Sequence, residues 1–327
     1  MNGNYMNIEV PDKIYPVKYS LAPMEGITGH IFRKAIHDHF GKGIDKYYSP
    51  FLVVHEKIAL SSKEIKDVLP SNNEGMHLVP QILTNDADGF TRTAECLTGM
   101  GYREVNLNLG CPSKTVAGKG RGSGFLSDPK GLDRFLDSIY EGCKCDISVK
   151  TRIGTSDPGE FEELMAVFNK YPVKELIIHP RVRYEYYKGK AHRDVFFRYM
   201  KQSVNPVCYN GDIFSRSDMD ELMTGTENRL GAVMIGRGML TDPSLIQRLS
   251  GGRAYGKKEL RAFLNRLIED YREELSGDKQ VIMKLKELWG YLGQSFPGKE
   301  RVLKQLLKCG SLRELKMLQE QMLEGID

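Results

Sequence analysis

At 327 residues the chain can form one large barrel-sized domain with a small one beside it, or two medium domains. Its 40% apolar and 28% charged residues exclude wholesale disorder, and no apolar run approaches the ~20 residues of a membrane span. A net charge of +4 is too small to indicate a nucleic-acid partner by itself, and six scattered cysteines exclude a disulfide scaffold. Only Cys143 and Cys145 lie close together, at a spacing unlike zinc pairs, so no structural metal is expected. The N-terminus has no basic region followed by an apolar core, so no secretory signal is expected. A cytoplasmic monomer is the default.

Short apolar runs at 19–22, 46–49, 78–82, 104–108, 147–150, 175–178, 206–209 and 232–235 are the expected strands. Helical stretches fall between them at 86–100, 129–140, 159–169, 192–202 and 216–224, while 51–71 does not resolve. Strands this short, apolar and unalternating suit a parallel sheet buried on both faces. Eight of them interleaved with helices predict an α/β fold, a (β/α)8 TIM barrel, over an open doubly wound sheet.

After Arg248 the pattern changes. Ser250-Gly251-Gly252 reads as a linker, and Val281, Ile282, Leu285, Leu288, Trp289 and Leu292 then recur at helical spacing. Leu303, Leu306 and Leu307 follow, then Leu312, Leu315, Leu318 and Met322, with Gly277, Pro297-Gly298 and Gly310 as punctuation. This predicts a small antiparallel bundle of three or four helices, with a barrel domain over 1–249 and a helical domain over 250–327. From Ser250 onward there are 15 Lys/Arg against 12 Asp/Glu.

Polar residues cluster at the C-terminal ends of the expected strands, where a barrel builds its active site. Pro23-Met24-Glu25 follows the first strand, Gln81 ends the third, and Asn108 and Cys111 lie at and just beyond the fourth. Lys150 ends the fifth, His179 follows the sixth, Asn210-Gly211-Asp212 the seventh, and Gly236-Arg237-Gly238 the eighth. The last two loops occupy a common phosphate site of barrels, where glycines admit backbone N–H groups to phosphate oxygens and Arg237 adds a charge-assisted pair. A flavin there needs a cation near its N1/O2 edge, which Lys150 would supply. Gln81 would hydrogen-bond the ring's polar edge, and His179 would contact ring or phosphate. A Schiff-base role for Lys150 competes.

The sharpest feature is Asn106-Leu107-Asn108-Leu109-Gly110-Cys111-Pro112-Ser113-Lys114, continuing through Gly118, Gly120, Gly122 and Gly124. A cysteine between Gly and Pro just past a strand end is displayed on a turn. Without a His/Asn partner or metal spacing nearby, its thiol suits an acid.

These residues resemble the tRNA-dihydrouridine synthase family. The resemblance runs over 21–28 (Leu-Ala-Pro-Met-Glu-Gly-Ile-Thr), Ile31-Phe32-Arg33, Val79-Pro80-Gln81, 106–116, and Val149-Lys150-Thr151-Arg152. It continues over His179-Pro180-Arg181, Asn210-Gly211-Asp212-Ile213 and Ile235-Gly236-Arg237-Gly238. The resemblance implies reduction of a uridine C5–C6 double bond in RNA, with NADPH reducing FMN, flavin N5 delivering hydride to C6, and Cys111 protonating C5. It implies flavin contacts for Pro23, Met24, Glu25, Gln81, Lys150 and His179, and phosphate contacts for Asn210, Gly211, Asp212, Gly236 and Arg237. Asn108 and Arg181 match residues near the uracil, and Lys114 and Arg183 are expected RNA contacts from charge and placement. The base would have to leave its stack to reach the flavin. The C-terminal segment is similar in size and position to the family's RNA-binding bundle, and Lys257, Lys258, Arg261, Lys284, Lys304 and Lys308 are a candidate docking face. Departures are Gly29 for a usual Asp, Pro180 for a usual Gly, and Gly124-Phe125-Leu126 in the cysteine loop.

Two other readings stay open: a small-molecule FMN barrel reductase of the dihydroorotate type, and a non-catalytic RNA-binding protein on the same fold. Ribosomal RNA is an alternative substrate within the first reading.

Overall fold

The computed structural model describes residues 15–325. Its strands are β1 (Lys18–Leu21), β2 (Ile44–Tyr48, resuming at Leu52–Val53), β3 (Leu78–Val79 and Gln81–Leu83), β4 (Glu104–Leu109), β5 (Asp146–Arg152), β6 (Leu176–His179), β7 (Val207–Tyr209) and β8 (Ala232–Ile235). The break in β3 falls at Pro80, which has no N–H to donate. Every pairing is parallel, and β1 pairs with both β2 and β8, with Leu21 opposite Ile235. Because β2 pairs with one half of β3 and β4 with the other, the sheet closes into an eight-staved barrel.

The helices are α1 (His30–Phe40), α2 (Ser62–Val68), α3 (Ala87–Gly99), α4 (Lys114–Ala117), α5 (Pro129–Gly142), α6 (Phe161–Phe168), α7 (Arg193–Met200), α8 (Arg216–Gly225), α9 (Arg237–Thr241) and α10 (Leu245–Leu249). Within the stretch that periodicity left unresolved, Ser61 and Glu64 form a capping box that starts α2.

Strand alternation sorts the side chains. Ala22, Tyr48, Val79, Ile177, Cys208, Ala232 and Met234 form a separate apolar cluster inside the lumen. The opposite parity, including Val105, Leu107, Val149 and Ile178, joins the larger core under the helices. The lumen is not uniformly apolar, and the strands are less uniformly apolar than their sequence pattern suggests. Below the cluster, Lys46 pairs with Glu104 at 2.8 Å and the Tyr48 hydroxyl donates to Glu175 at 3.0 Å. In β4 the lumen parity is Glu104, Asn106 and Asn108, so the polar residues point inward and the apolar ones outward.

The bundle has four helices, α11 (Lys257–Glu274), α12 (Asp278–Leu292), α13 (Glu300–Leu306) and α14 (Leu312–Leu323). It shares one continuous apolar cluster with the barrel. At the seam, Phe263 of α11 meets Phe32 and Phe40 of α1 edge-on at 6.0 and 5.3 Å. On α12, Lys284 donates to the Gly26 carbonyl, so the bundle reaches the first loop of the barrel mouth. No described helix is long and apolar enough to cross a membrane.

Candidate active site

Gln81, Asn108, Lys150, His179, Asn210 and Gly236 share the lumen parity of their strands and stand above the apolar cluster. The barrel thus gathers them at one mouth, as their strand-end positions anticipated. Pro23, Met24 and Glu25 join them on a turn held by Thr28, whose Oγ1 accepts from the Met24 N–H at 2.7 Å. Gly26 closes that turn at φ 82°, a left-handed conformation that suits glycine.

The mouth is strongly cationic. The Lys150 ammonium makes no hydrogen bond or ion pair among the described residues; burial, then the Arg152 charge, lowers its pKa to about 8. His179 is held well below the usual imidazole range, first by burial and then by Arg152, Lys150, Arg181 and Arg237. It is therefore neutral. Its Nε2 lies 3.2 Å from the Arg181 guanidinium, which can only donate, so the ring proton sits on Nδ1.

Cys111 is a free thiol. Burial, the largest influence, raises its pKa, and Glu25 adds to this; the Ser113 N–H and the cations Arg152 and Lys150 oppose it without reversing it. The thiol is consequently protonated at neutral pH, the state an acid needs. Its turn is pinned on both sides. Asn108 Oδ1 accepts from the Gly110 and Cys111 N–H groups at 3.1 and 3.0 Å, and the Cys111 carbonyl accepts from Ser123 Oγ at 2.7 Å.

Two residues with no assigned role in the sequence reading complete the site. Arg152 donates to the carbonyls of Gly110, Val182 and Tyr186 at 3.0, 3.0 and 2.7 Å, tying the cysteine loop to the loop after β6. Its place two residues beyond Lys150, on the same strand face, was a usable signal. Tyr187 lies over the Arg237 guanidinium at 4.4 Å, with its ring 6.0 Å from His179 and 5.6 Å from Arg152. Nothing in its sequence context marks it, because it arrives from an irregular loop.

Other expected residues have particular settings. Arg181 is buried and committed: Nε donates to the Lys188 carbonyl at 3.2 Å, Nη2 to the Gly189 carbonyl at 2.6 Å, and the fork grips Asp212. Asp212 also takes Arg237 Nη2 at 2.5 Å, so its carboxylate holds two arginines at the expected phosphate end. Asn210 Nδ2 donates to the Met234 carbonyl at 2.9 Å, tying the seventh loop to β8. A Cβ on Gly238 would fall 2.1 Å from the Ile213 carbonyl, so glycine is needed for those loops to pack together. Gly211 and Gly236 lie beside them. Lys114 is exposed at the start of α4, and Arg183 stacks on Tyr184 at 4.6 Å on the rim.

A closed parallel barrel carrying a protonated thiol and a ring of cations at its C-terminal mouth is an α/β-barrel enzyme. A model of the dihydrouridine synthase (Dus) family matches residues 20–324, and the chain belongs to that family of oxidoreductases. It is similar to the tRNA-dihydrouridine(16) synthase of Cupriavidus necator, at 29% identity over 71% of this chain and 73% of the relative. It is also similar to the Bacillus subtilis protein named "Probable tRNA-dihydrouridine synthase 2", at 26% identity over 94% of this chain and 96% of the relative, bundle included. Among solved structures, a 2-naphthoyl-CoA reductase bound to 2-naphthoyl-CoA shares the fold with a TM-score of 0.54 at 10% identity. That match covers 74% of this chain and about half, 51%, of the reductase.

Proposed function

We propose that this chain is an FMN-dependent tRNA-dihydrouridine synthase that uses NADPH as reductant and acts in the cytoplasm as a monomer. The observation that carries the reading is the protonated Cys111 thiol pinned beside Lys150, a cation with no protein partner. An unpaired cation in a partly desolvated mouth fits a group that gains negative charge on reduction. Family membership and relatives named for tRNA support the substrate.

Lys150 and Gln81 would hold the polar edge of the flavin, with Pro23, Met24, Glu25 and neutral His179 around its ring. Asn210, Gly211, Gly236 and Arg237 would hold the phosphate, and Asp212 would act through Arg237 by orienting it. When bound, FMN supplies the hydride for C6 of the uracil. Cys111 holds the balancing proton at Sγ and delivers it to C5; solvent returns a proton to the thiolate. Asn108 has one amide N–H left to face the base, while Arg181 would act by fixing Asp212 and His179. Lys114 and Arg183, on the rim, would meet RNA phosphates.

The test is mass-spectrometric nucleoside analysis of tRNA and rRNA from cells with and without the gene, complemented by wild type or Cys111→Ala. Loss of dihydrouridine from tRNA, restored by wild type and not by the variant, is expected. Loss from rRNA alone would move the substrate, and no loss from either, with no redundant enzyme present, would sink the reading.

A further inference from the structure

We propose that Asn106, beneath the mouth, is a positioning residue for the Cys111 proton, acting through a one-way relay of side-chain amides. The proposal rests on the functional reading above for its chemistry but not for its geometry.

The relay runs through the buried lumen. Asn108 Nδ2 donates to Gln81 Oε1 at 2.7 Å, Gln81 Nε2 donates to Asn106 Oδ1 at 2.8 Å, and Asn106 Nδ2 donates to Ser148 Oγ at 3.0 Å. Asn106, Gln81 and Ser148 are wholly buried, so water does not substitute for a lost partner. One end dictates the direction, and the other accommodates it. At one end the Gly110 and Cys111 N–H groups can only donate, so Asn108 must turn its oxygen to them and its nitrogen to Gln81. At the other, Ser148 Oγ points its proton toward the Val105 carbonyl at 3.4 Å and so accepts from Asn106. Reversing any one amide leaves two donors or two acceptors face to face. The backbone N–H groups thus set the direction of the relay, and Asn106, as its last amide, holds Gln81 in place and through it Asn108, which pins the turn displaying the thiol. The same relay leaves one N–H of Asn108 for a ligand, so the base-facing amide and the acid are aligned by one device.

The experiment compares wild type with Asn106→Leu, which removes donor and acceptor at similar volume. Stopped-flow anaerobic reduction by NADPH and reoxidation by unmodified tRNA transcript separate the two half-reactions. Alkylation of Cys111 by iodoacetamide in flavin-free protein, followed by peptide mass spectrometry with Cys96 as internal control, reports the turn itself. The expected result is reoxidation slowed on the order of 10- to 100-fold, at least ten times more than reduction. Cys111 alkylation should change at least threefold while Cys96 does not. Ser148→Ala, a milder cut at the end of the relay, should give the same pattern at smaller size if the leucine variant fails to fold. Equal slowing of both half-reactions, or an unchanged Cys111 alkylation rate, overturns the proposal. If wild-type flavin is not reoxidised by tRNA, the functional reading fails, and the alkylation arm alone decides the relay.

Discussion

Lys150 costs the apoprotein stability. Its folded pKa, about 8, lies below the ordinary 10.5, so between these values the unfolded chain binds more protons and stability rises with pH. Below pH 8 the full penalty applies. Replacing the ammonium should relieve it: Lys150→Met is expected to raise the melting temperature of the flavin-free protein at pH 7 by a few degrees while weakening FMN binding at least tenfold. Calorimetry and flavin-fluorescence titration measure the two effects, and a drop in both would show that Lys150 is structural. Much of the site at this scale was readable in the sequence, because Gln81, Asn108, Lys150, His179 and Asn210 each end or follow a strand. What could not be read was which polar groups the protein keeps for itself. Arg181 and Asp212 read as ligand contacts, yet they grip each other, a pairing set by loop paths that no local pattern encodes. Tyr187 follows Tyr186, a non-glycine residue at φ 53°, on a loop whose course only tertiary packing fixes.

Helix α12 shows the same limit one level up. Its apolar stripe fixes which side is buried in the bundle, and Val281, Ile282, Leu285, Leu288, Trp289 and Leu292 are indeed buried. The stripe says nothing of what the other faces meet. Lys284, expected on an RNA-docking face, turns instead to the Gly26 carbonyl, and Arg261 pairs with Glu320, its Nε at 2.9 Å. Lys258, Lys304 and Lys308 are exposed, as a docking face requires. The two groups should separate experimentally. Lys284→Met is expected to weaken FMN binding several-fold with tRNA affinity unchanged. Charge reversal at Lys258, Lys304 and Lys308 should weaken tRNA binding and flatten its salt dependence, with FMN binding unchanged. Filter binding across a salt series, beside flavin titration, settles the assignment; exchanged effects would restore Lys284 to the RNA face. The strands were legible because each carries a short cluster of apolar or aromatic residues, although β4 alternates with polar ones. Helix α2 was overlooked because its start is marked by the Ser61–Glu64 capping box and not by periodicity.

Across the whole molecule, barrel and bundle share a core, which the Ser250-Gly251-Gly252 linker did not suggest. Phe263, fully buried between Phe32 and Phe40, is the centre of that seam. Phe263→Ala should cost about 3–5 kcal/mol. Denaturant unfolding should keep one transition if the two parts unfold together, and split into two if the seam is the weaker link. The apolar plug in the lumen has a different consequence. It lies between the charged floor, where Lys46 meets Glu104, and the working mouth, with Gln81, Asn106 and Ser148 the polar side chains that reach down beside it. A Glu104→Gln change below the plug and a His179→Asn change above it should be additive in stability to within about 0.5 kcal/mol. A barrel partitioned in this way can exchange the chemistry at its rim for another without having to relearn how to fold.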